Sequence, residues 1–419
     1  MFTTIEKINI IEWTPYIFII ICIIILFIYS YIRIKYGFWV SQPVFHIYDF
    51  GYYLYPPGII NHSLPQKNKY TNLQNIETID FSKLSDIKIN QFVNFVNLNY
   101  YQKKDNHFSP KRENIVPYFI GHKDKPFISF YTEDNLMLDT KNGGTIADKK
   151  ILGVMTTRPI HVSIYNNKNN NNNNTSNNTS NNFDAYYVDY LCVDLLNRKK
   201  GIAPQIIQTH EYNERRANKS IVVSLFKREN ELTGIVPLCV YQTYGFPVTK
   251  WTKPVNLLAM YTFLEINPQN FHKLYDFMKA NNSAFDIVIH TDIPNMIELL
   301  KTNNIFINAI IVEDEIICAY FFRKTCIFVD KDMEALCCFA SINNCLMDDI
   351  FIQGFKISFW NIADKNGFGF CAIENISHNH LIIADIIKKT HPLIISPTAY
   401  FFYNFGYNSF KHEKVLIIN

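Results

Sequence analysis

The stretch that most limits how this chain can fold is YVDYLCVDLLNRKKGIAPQIIQTHEYNERR, residues 187–216. An apolar, strand-like run ends in Arg198, Lys199, Lys200 and Gly201, and a helical pattern opens at about Ala203. A strand that hands over to a helix through so short a loop demands a fold that mixes the two. The first N–H groups of the helix have no internal acceptor, and its dipole adds partial positive charge there, so the junction suits an anion such as phosphate. Gly201 lets the backbone approach closely, Pro204 fits the first helical turn, and the three cations supply countercharge. Along the strand, alternation puts Tyr186, Val188, Tyr190 and Cys192 on one face and Tyr187, Leu191 and Val193 on the other.

The cluster stands out because the chain as a whole is nearly neutral. Its 419 residues carry 40 basic and 37 acidic side chains, a formal charge of +3, which argues against bulk nucleic-acid binding. A hydrophobic share of 48% is enough for one large or two ordinary domains. The nine cysteines show no CxxC spacing and read as reduced core residues of a cytosolic domain. His378 and His380 have no third ligand in reach, so no metal site is expected.

Two segments differ from the rest. Tyr16–Ile32 is apolar and uncharged, and its length suggests a transmembrane anchor occupying residues 1–35. Arg33 and Lys35 follow it, against Glu6, Lys7 and Glu12 before it. The positive-inside rule then predicts a single-pass protein whose main domain faces the cytosol. Asn166–Asn182 is a polar low-complexity tract that cannot pack, expected as a disordered hairpin tip between two strands. Elsewhere strand patterns (149–165, 183–194, 285–291, 308–329, 367–376, 391–396) mix with helical ones around 264–280, 292–303 and 345–359. The expected fold is α+β, with a large, mainly antiparallel sheet and flanking helices.

The pattern Arg198-x-x-Gly201-x-Ala203 after a tyrosine-rich strand resembles the pyrophosphate loop of the GNAT acyltransferases. With its flanks, YLCVDLLNRKKGIAPQII resembles a signature of the N-myristoyltransferases, whose fold is a doubled GNAT unit. Further segments are similar in the same order: GFWVSQPV (37–44), LYPPG (54–58), LNYYQKKDNHF (98–108), KILGVMTTRPIHVSIY (150–165), IVPLCVYQ (235–242), EIICAYFFRKTCIF (315–328) and the closing YFFYNFGYNSFKHEKVLIIN (400–419). The resemblance runs from about residue 36 to the last residue. It implies two tandem GNAT-like halves, 36–245 for acyl-CoA and 246–419 for peptide binding and the terminal carboxylate.

The activity so implied is transfer of myristate from myristoyl-CoA to the N-terminal glycine of a protein or peptide, without metal or prosthetic group. Backbone N–H groups of Tyr190 and Leu191 would form the oxyanion hole. The terminal carboxylate of Asn419 would deprotonate the glycine. Phe38, Trp39, Gln42, Cys192, Val193 and the loop from Arg198 through Lys199, Lys200, Gly201, Ile202 and Ala203 to Pro204 would hold the acyl-CoA. Tyr100, Tyr101, Phe108, Tyr241 and Tyr320 would meet the peptide. The chain departs from the pattern at Gln102–Asp105, where an acidic run is replaced by a mixed basic one, and at Gly201. It departs again at Thr243 and Cys371, where a histidine and an asparagine that meet the peptide are absent. These changes leave open another acyl chain or amine, or a non-catalytic acyl-CoA- or peptide-binding protein.

Overall fold

The computed structural model describes residues 10–35, 37–101, 106–138, 145–165, 180–229, 234–249, 251–329 and 333–419. It begins with α1 (Ile10–Lys35), α2 (Phe50–Leu54), β1 (Gly58–Ile59), β2 (Ile76–Asp80), α3 (Asp86–Asn99), β3 (Asn106–Phe108) and α4 (Arg112–Ile115). A meander of long strands follows, β4 (Phe127–Leu138), β5 (Thr145–Tyr165) and β6 (Ser180–Val193), then α5 (Ile202–Ala217), β7 (Val223–Glu229) and β8 (Cys239–Pro247). Next are β9 (Thr262–Glu265), α6 (Phe271–Asn281), β10 (Ile287–His290) and α7 (Ile293–Lys301). A second meander, β11 (Ile305–Val312), β12 (Glu315–Val329) and β13 (Met333–Asn343), leads to α8 (Asp348–Asn366), β14 (Phe370–Glu374) and α9 (Asn379–Ile387). The chain closes with β15 (Ile394–Tyr403), β16 (Phe405–Gly406) and β17 (Val415–Ile418).

Among the described residues, all strands but β1 and β16 share one sheet, whose main path runs β17-β10-β5-β6-β7-β15-β8-β14-β13-β12-β11-β9. Its pairings are antiparallel except β10 with β17, β6 with β7, and β13 with β14. One unit occurs twice: an antiparallel meander, a helix, and a strand parallel to the meander's last member. The two copies are β4–β6, α5, β7 and β11–β13, α8, β14. The strand that follows each copy crosses to the other: β8 pairs with β14, and β15 pairs with β7. β8 and β15 also pair with each other, from Gly245 with Ile394 to Cys239 with Tyr400, which makes the sheet continuous. Position 245, where the sequence reading divides the chain, therefore lies inside a strand at the centre of the sheet.

Helices cover the apolar faces. Phe351, Phe355 and Phe359 of α8 pack on Phe246, Phe322 and Leu336. Phe92 and Val96 of α3 pack on Phe130, Val154 and Tyr190. The helical spacing of residues 345–359 thus has its expected place. The pattern begun at 264 does not: Thr262–Glu265 is a strand paired with β11, and the helix starts only at Phe271. An edge pairing outcompetes the helical propensity there.

Residues 166–179 of the asparagine-rich tract lie outside the described residues. Its last three residues do not belong to a hairpin tip, because Ser180–Asn182 pair with Tyr165–Ser163 and lengthen both arms. α1 carries exposed side chains from Tyr16 to Tyr31, Cys22 excepted. Among the described residues, however, no helix is long and apolar enough to cross a membrane, so the expected transmembrane helix is not supported. The apolar run stops at Ile32 and α1 closes on Arg33 and Lys35, short of a comfortable span of ~20 apolar residues.

Candidate active site

β6 and β7 run side by side only where Ala185–Tyr187 meet Val223–Leu225. Beyond Tyr187 they separate, and a cleft opens in the sheet. Just past that point the register between β5 and β6 shifts: Val154 opposes Cys192 and Thr156 opposes Asp189, so Tyr190 and Leu191 together face Met155. This is a β-bulge, and Tyr190 takes a left-handed φ of 47° to make it. The Tyr190 N–H donates to the Asp189 side chain (3.0 Å), and the Thr156 hydroxyl donates to the Asp189 carbonyl (2.9 Å).

The extra residue overturns the simple alternation. Tyr190 and Cys192 pack under α3 with Phe92, on the side opposite Val188, while Leu191 joins Val188 and Val193 against Ile202 and Ile206 of α5. Tyr190 therefore does not share a face with Val188, because each residue beyond a bulge is shifted by one.

Three cavities meet at this bulge. The first, about 510 Å³, is lined by Tyr190, Leu191, Trp39, Phe226 and the inner face of α5. The second, about 280 Å³, lies between Tyr190 and the second half, lined by Tyr118, Arg158, Arg323 and Glu374 among others. The third, about 530 Å³, runs from Leu191, Cys192 and Val193 to Arg198, Lys199, Gly201, Ile202, Ala203 and Pro204. Tyr100 and Tyr101 line all three. Tyr100 meets Phe108 and Tyr190 edge-on, at 5.4 and 5.8 Å between ring centres.

The basic loop has the geometry its sequence suggests. Gly201 caps α5 with a φ of 77°, Lys199 is also left-handed at 64°, and the helix begins at Ile202. Arg198 turns inward, donating to the carbonyls of Asn99 (2.6 Å) and Val193 (3.3 Å), and so ties the loop to α3. Lys200 bonds Asn197 (2.7 Å) and does not line the cavity. Burial pushes the Cys192 thiol up to about 12, so it is no nucleophile at neutral pH.

Trp39 stacks on Phe226 at 5.5 Å and lines the first cavity, whereas Phe38 packs behind it against Tyr70. Gln42 is buried and accepts from Tyr403 (2.8 Å), whose ring reaches that cavity.

On the opposite side the expectations divide. Phe108 and Thr243 line the second cavity. Tyr241 stands behind the wall, donating to Glu374 at 2.6 Å. Tyr320 is fully buried under α8 and donates to the Phe351 carbonyl (2.6 Å), so it reaches none of the three cavities. Cys371 lies in the same core. Gln102–Asp105 lie outside the described residues. Asn419 is buried at the end of β17, which β10 fixes in parallel register. The Ile418 carbonyl just before it accepts from Thr291 N–H (3.0 Å).

Sequence reasoning missed two polar groups. In the second cavity Glu374 accepts from Lys227 (3.0 Å), Tyr241 and Arg323. Burial opposes its charge, but the two cations win and hold its carboxyl down at about 2. Beside them Arg158 is 2% exposed, lies over the rings of Tyr187 (4.9 Å) and Tyr118 (5.2 Å), and is 4.0 Å from Asp189. In the first cavity α5 contributes His210, Glu211 and Glu214. Burial, and then the charge of Glu214, push the Glu211 carboxyl up to about 8. The only trace of either group in the sequence is charge inside apolar strands or at helical spacing.

Two parallel pairs, one splayed beside a bulge, in a twice-repeated unit define a doubled GNAT fold. No known protein family's sequence profile matches the chain, and no curated protein sequence does. Solved structures do match. Two structures of Saccharomyces cerevisiae N-myristoyltransferase with bound myristoyl-CoA superpose with TM-scores of 0.64 and 0.68 at 12% identity, over 90% of this chain and 94% and 90% of theirs. A tandem GNAT protein from the clavulanic acid biosynthesis pathway superposes at 0.50 with 8% identity, over 80% of this chain and 100% of its own. The fold is thus that of the N-myristoyltransferases.

Proposed function

We propose that the protein moves the acyl group of an acyl-CoA onto a primary amine, with myristoyl-CoA and an N-terminal glycine as the substrate pair. The observation that carries this reading is the meeting of three cavities at the Tyr190–Leu191 bulge. The cavity at the α5 N-terminus suits the CoA phosphates, the one behind Trp39 the acyl chain, and the one toward the second half the acceptor. Attack of the amine on the thioester carbonyl makes an oxyanion, which the N–H groups of Tyr190 and Leu191 would stabilise; such a donor is worth roughly 3 kcal/mol. Asp189 holds the Tyr190 N–H, so the oxyanion competes with that carboxylate for it. Before attack the Asn419 carboxylate, held at the end of the buried and paired β17, would take one proton from the glycine ammonium; the tetrahedral intermediate then expels CoA, whose sulfur takes a second proton from the nitrogen and leaves as the thiol.

Glu211 and Glu214 in the wall of the acyl cavity favour a second reading, in which the acyl chain is shorter or more polar than myristate. The exposed apolar side chains of α1 support contact with lipid. The test is mass spectrometry of glycine-terminated peptides incubated with myristoyl-CoA or acetyl-CoA, using the full chain and one lacking Asn419. Absence of transfer by either chain, with acyl-CoA binding retained, sinks the enzymatic reading. Equal transfer by both removes Asn419 as the base. Better use of acetyl-CoA selects the second reading.

A further inference from the structure

Among the described residues, Arg158 is a deeply buried cation whose donors are left open. It sits on β5 opposite Tyr187, 2% exposed, and lines the second cavity. Its Nε and Nη1 have no hydrogen-bond partner, and its ion-pair contact, Asp189, stays 4.0 Å away. Unmatched guanidinium donors at that depth are costly unless a ligand completes them. The surroundings sharpen the demand. The deep wall holds three cations, Arg158, Lys227 and Arg323, against two carboxylates, Asp189 and Glu374. Glu374 is already shared by Lys227 and Arg323. Burial pushes the Asp189 carboxyl up, against the pull of the Arg158 charge. At the mouth, Lys324 pairs with Glu334 (3.8 Å), and the charge of the exposed Glu229 acts on Lys227, so neither meets the open donors of Arg158.

We propose that Arg158 anchors a carboxylate of the acceptor, so that this cavity selects amines bearing an acidic group a short distance from the nitrogen to be acylated. This rests on the acceptor reading of the second cavity. Arg158 Nε is 4.0 Å from the Asp189 carboxylate, which itself accepts from the Tyr190 N–H (3.0 Å), so the guanidinium stands one carboxylate away from the proposed oxyanion donors. An acidic side chain at the second or third residue of an extended peptide can fold back over such a distance. Arg suits the task because its planar fork grips a carboxylate through two N–H groups, and two aromatic faces keep it oriented.

The experiment uses the full chain and three glycine-terminated octapeptides that differ at position three: Asp, Asn or Lys. Binding is read by calorimetry with a non-hydrolysable acyl-CoA analogue present, and transfer by release of CoA. The Asp peptide is expected to bind, and to show a KM, about tenfold or more better than its Asn twin, with Lys worst. In Arg158→Gln the Asp-to-Asn ratio collapses toward one, and Arg158→Lys restores it in part. Equal affinity for Asp and Asn peptides in the unaltered chain overturns the proposal whether or not the variants fold. Acid-selective binding without CoA release would keep the anchor and sink the transferase reading. Transfer without acid selectivity would do the reverse.

Discussion

Glu211 occupies a place where an acyl chain would lie, and its protonation decides what the cavity offers. With its carboxyl pushed up to about 8, chiefly by burial, it is mostly neutral at pH 7 and charged above pH 8. The KM for a long-chain acyl-CoA is therefore expected to rise several-fold between pH 7 and pH 9, and Glu211→Gln to flatten that rise. A profile that stays unchanged in the variant would separate Glu211 from the acyl site. Glu374 has the opposite sign. Its carboxyl falls from 4.5 to about 2 on folding, so its stabilising effect is complete above pH 4.5 and is lost as the pH drops through 2. Glu374→Gln leaves Lys227 and Arg323 without their shared counterion, and urea denaturation at pH 7 is expected to show a loss of about 3–5 kcal/mol. A loss below 1 kcal/mol would mean that the two cations find other partners.

At the scale of elements, the entry to α5 and the bulge in β6 make a contrast. The entry was legible because everything it needs is local: a glycine at a left-handed turn, cations beside it and a helical pattern after it. Its strain is purely conformational, since a Cβ at Gly201 would meet nothing within 4 Å. Gly201→Ala is expected to cost about 1–2 kcal/mol in thermal or urea unfolding, and Gly201→Asn clearly less, because Asn tolerates that region. Equal losses in the two variants would point to a lost contact instead. The bulge was hidden because one strand read alone keeps alternating smoothly through Tyr190. Only the count of residues on β5 shows that two positions face one. Tyr320 misled for a related reason: a tyrosine on a long strand looks the same whether its ring faces a cavity or the underside of α8.

For the whole molecule, resemblance supplied the two halves but not how they interlock. The exchange of β8 and β15 is non-local, and each strand reads as an ordinary member of its own half. The charged wall around Arg158 escaped for the same reason, since its members come from β5, β6, β7, β12 and β14 and meet only once the sheet closes. The interlock can be tested by cleaving the chain within residues 251–261, between β8 and β9. The two fragments are expected to stay together through gel filtration, and to separate only when the protein is unfolded. It also has a consequence for synthesis on the ribosome. When the first half has emerged, β7 still lacks β15, and β5 still lacks β10, which in turn awaits β17. The nascent chain must therefore carry open strand edges, a setting that invites chaperones or misassembly, until β10, β15 and β17 have left the exit tunnel.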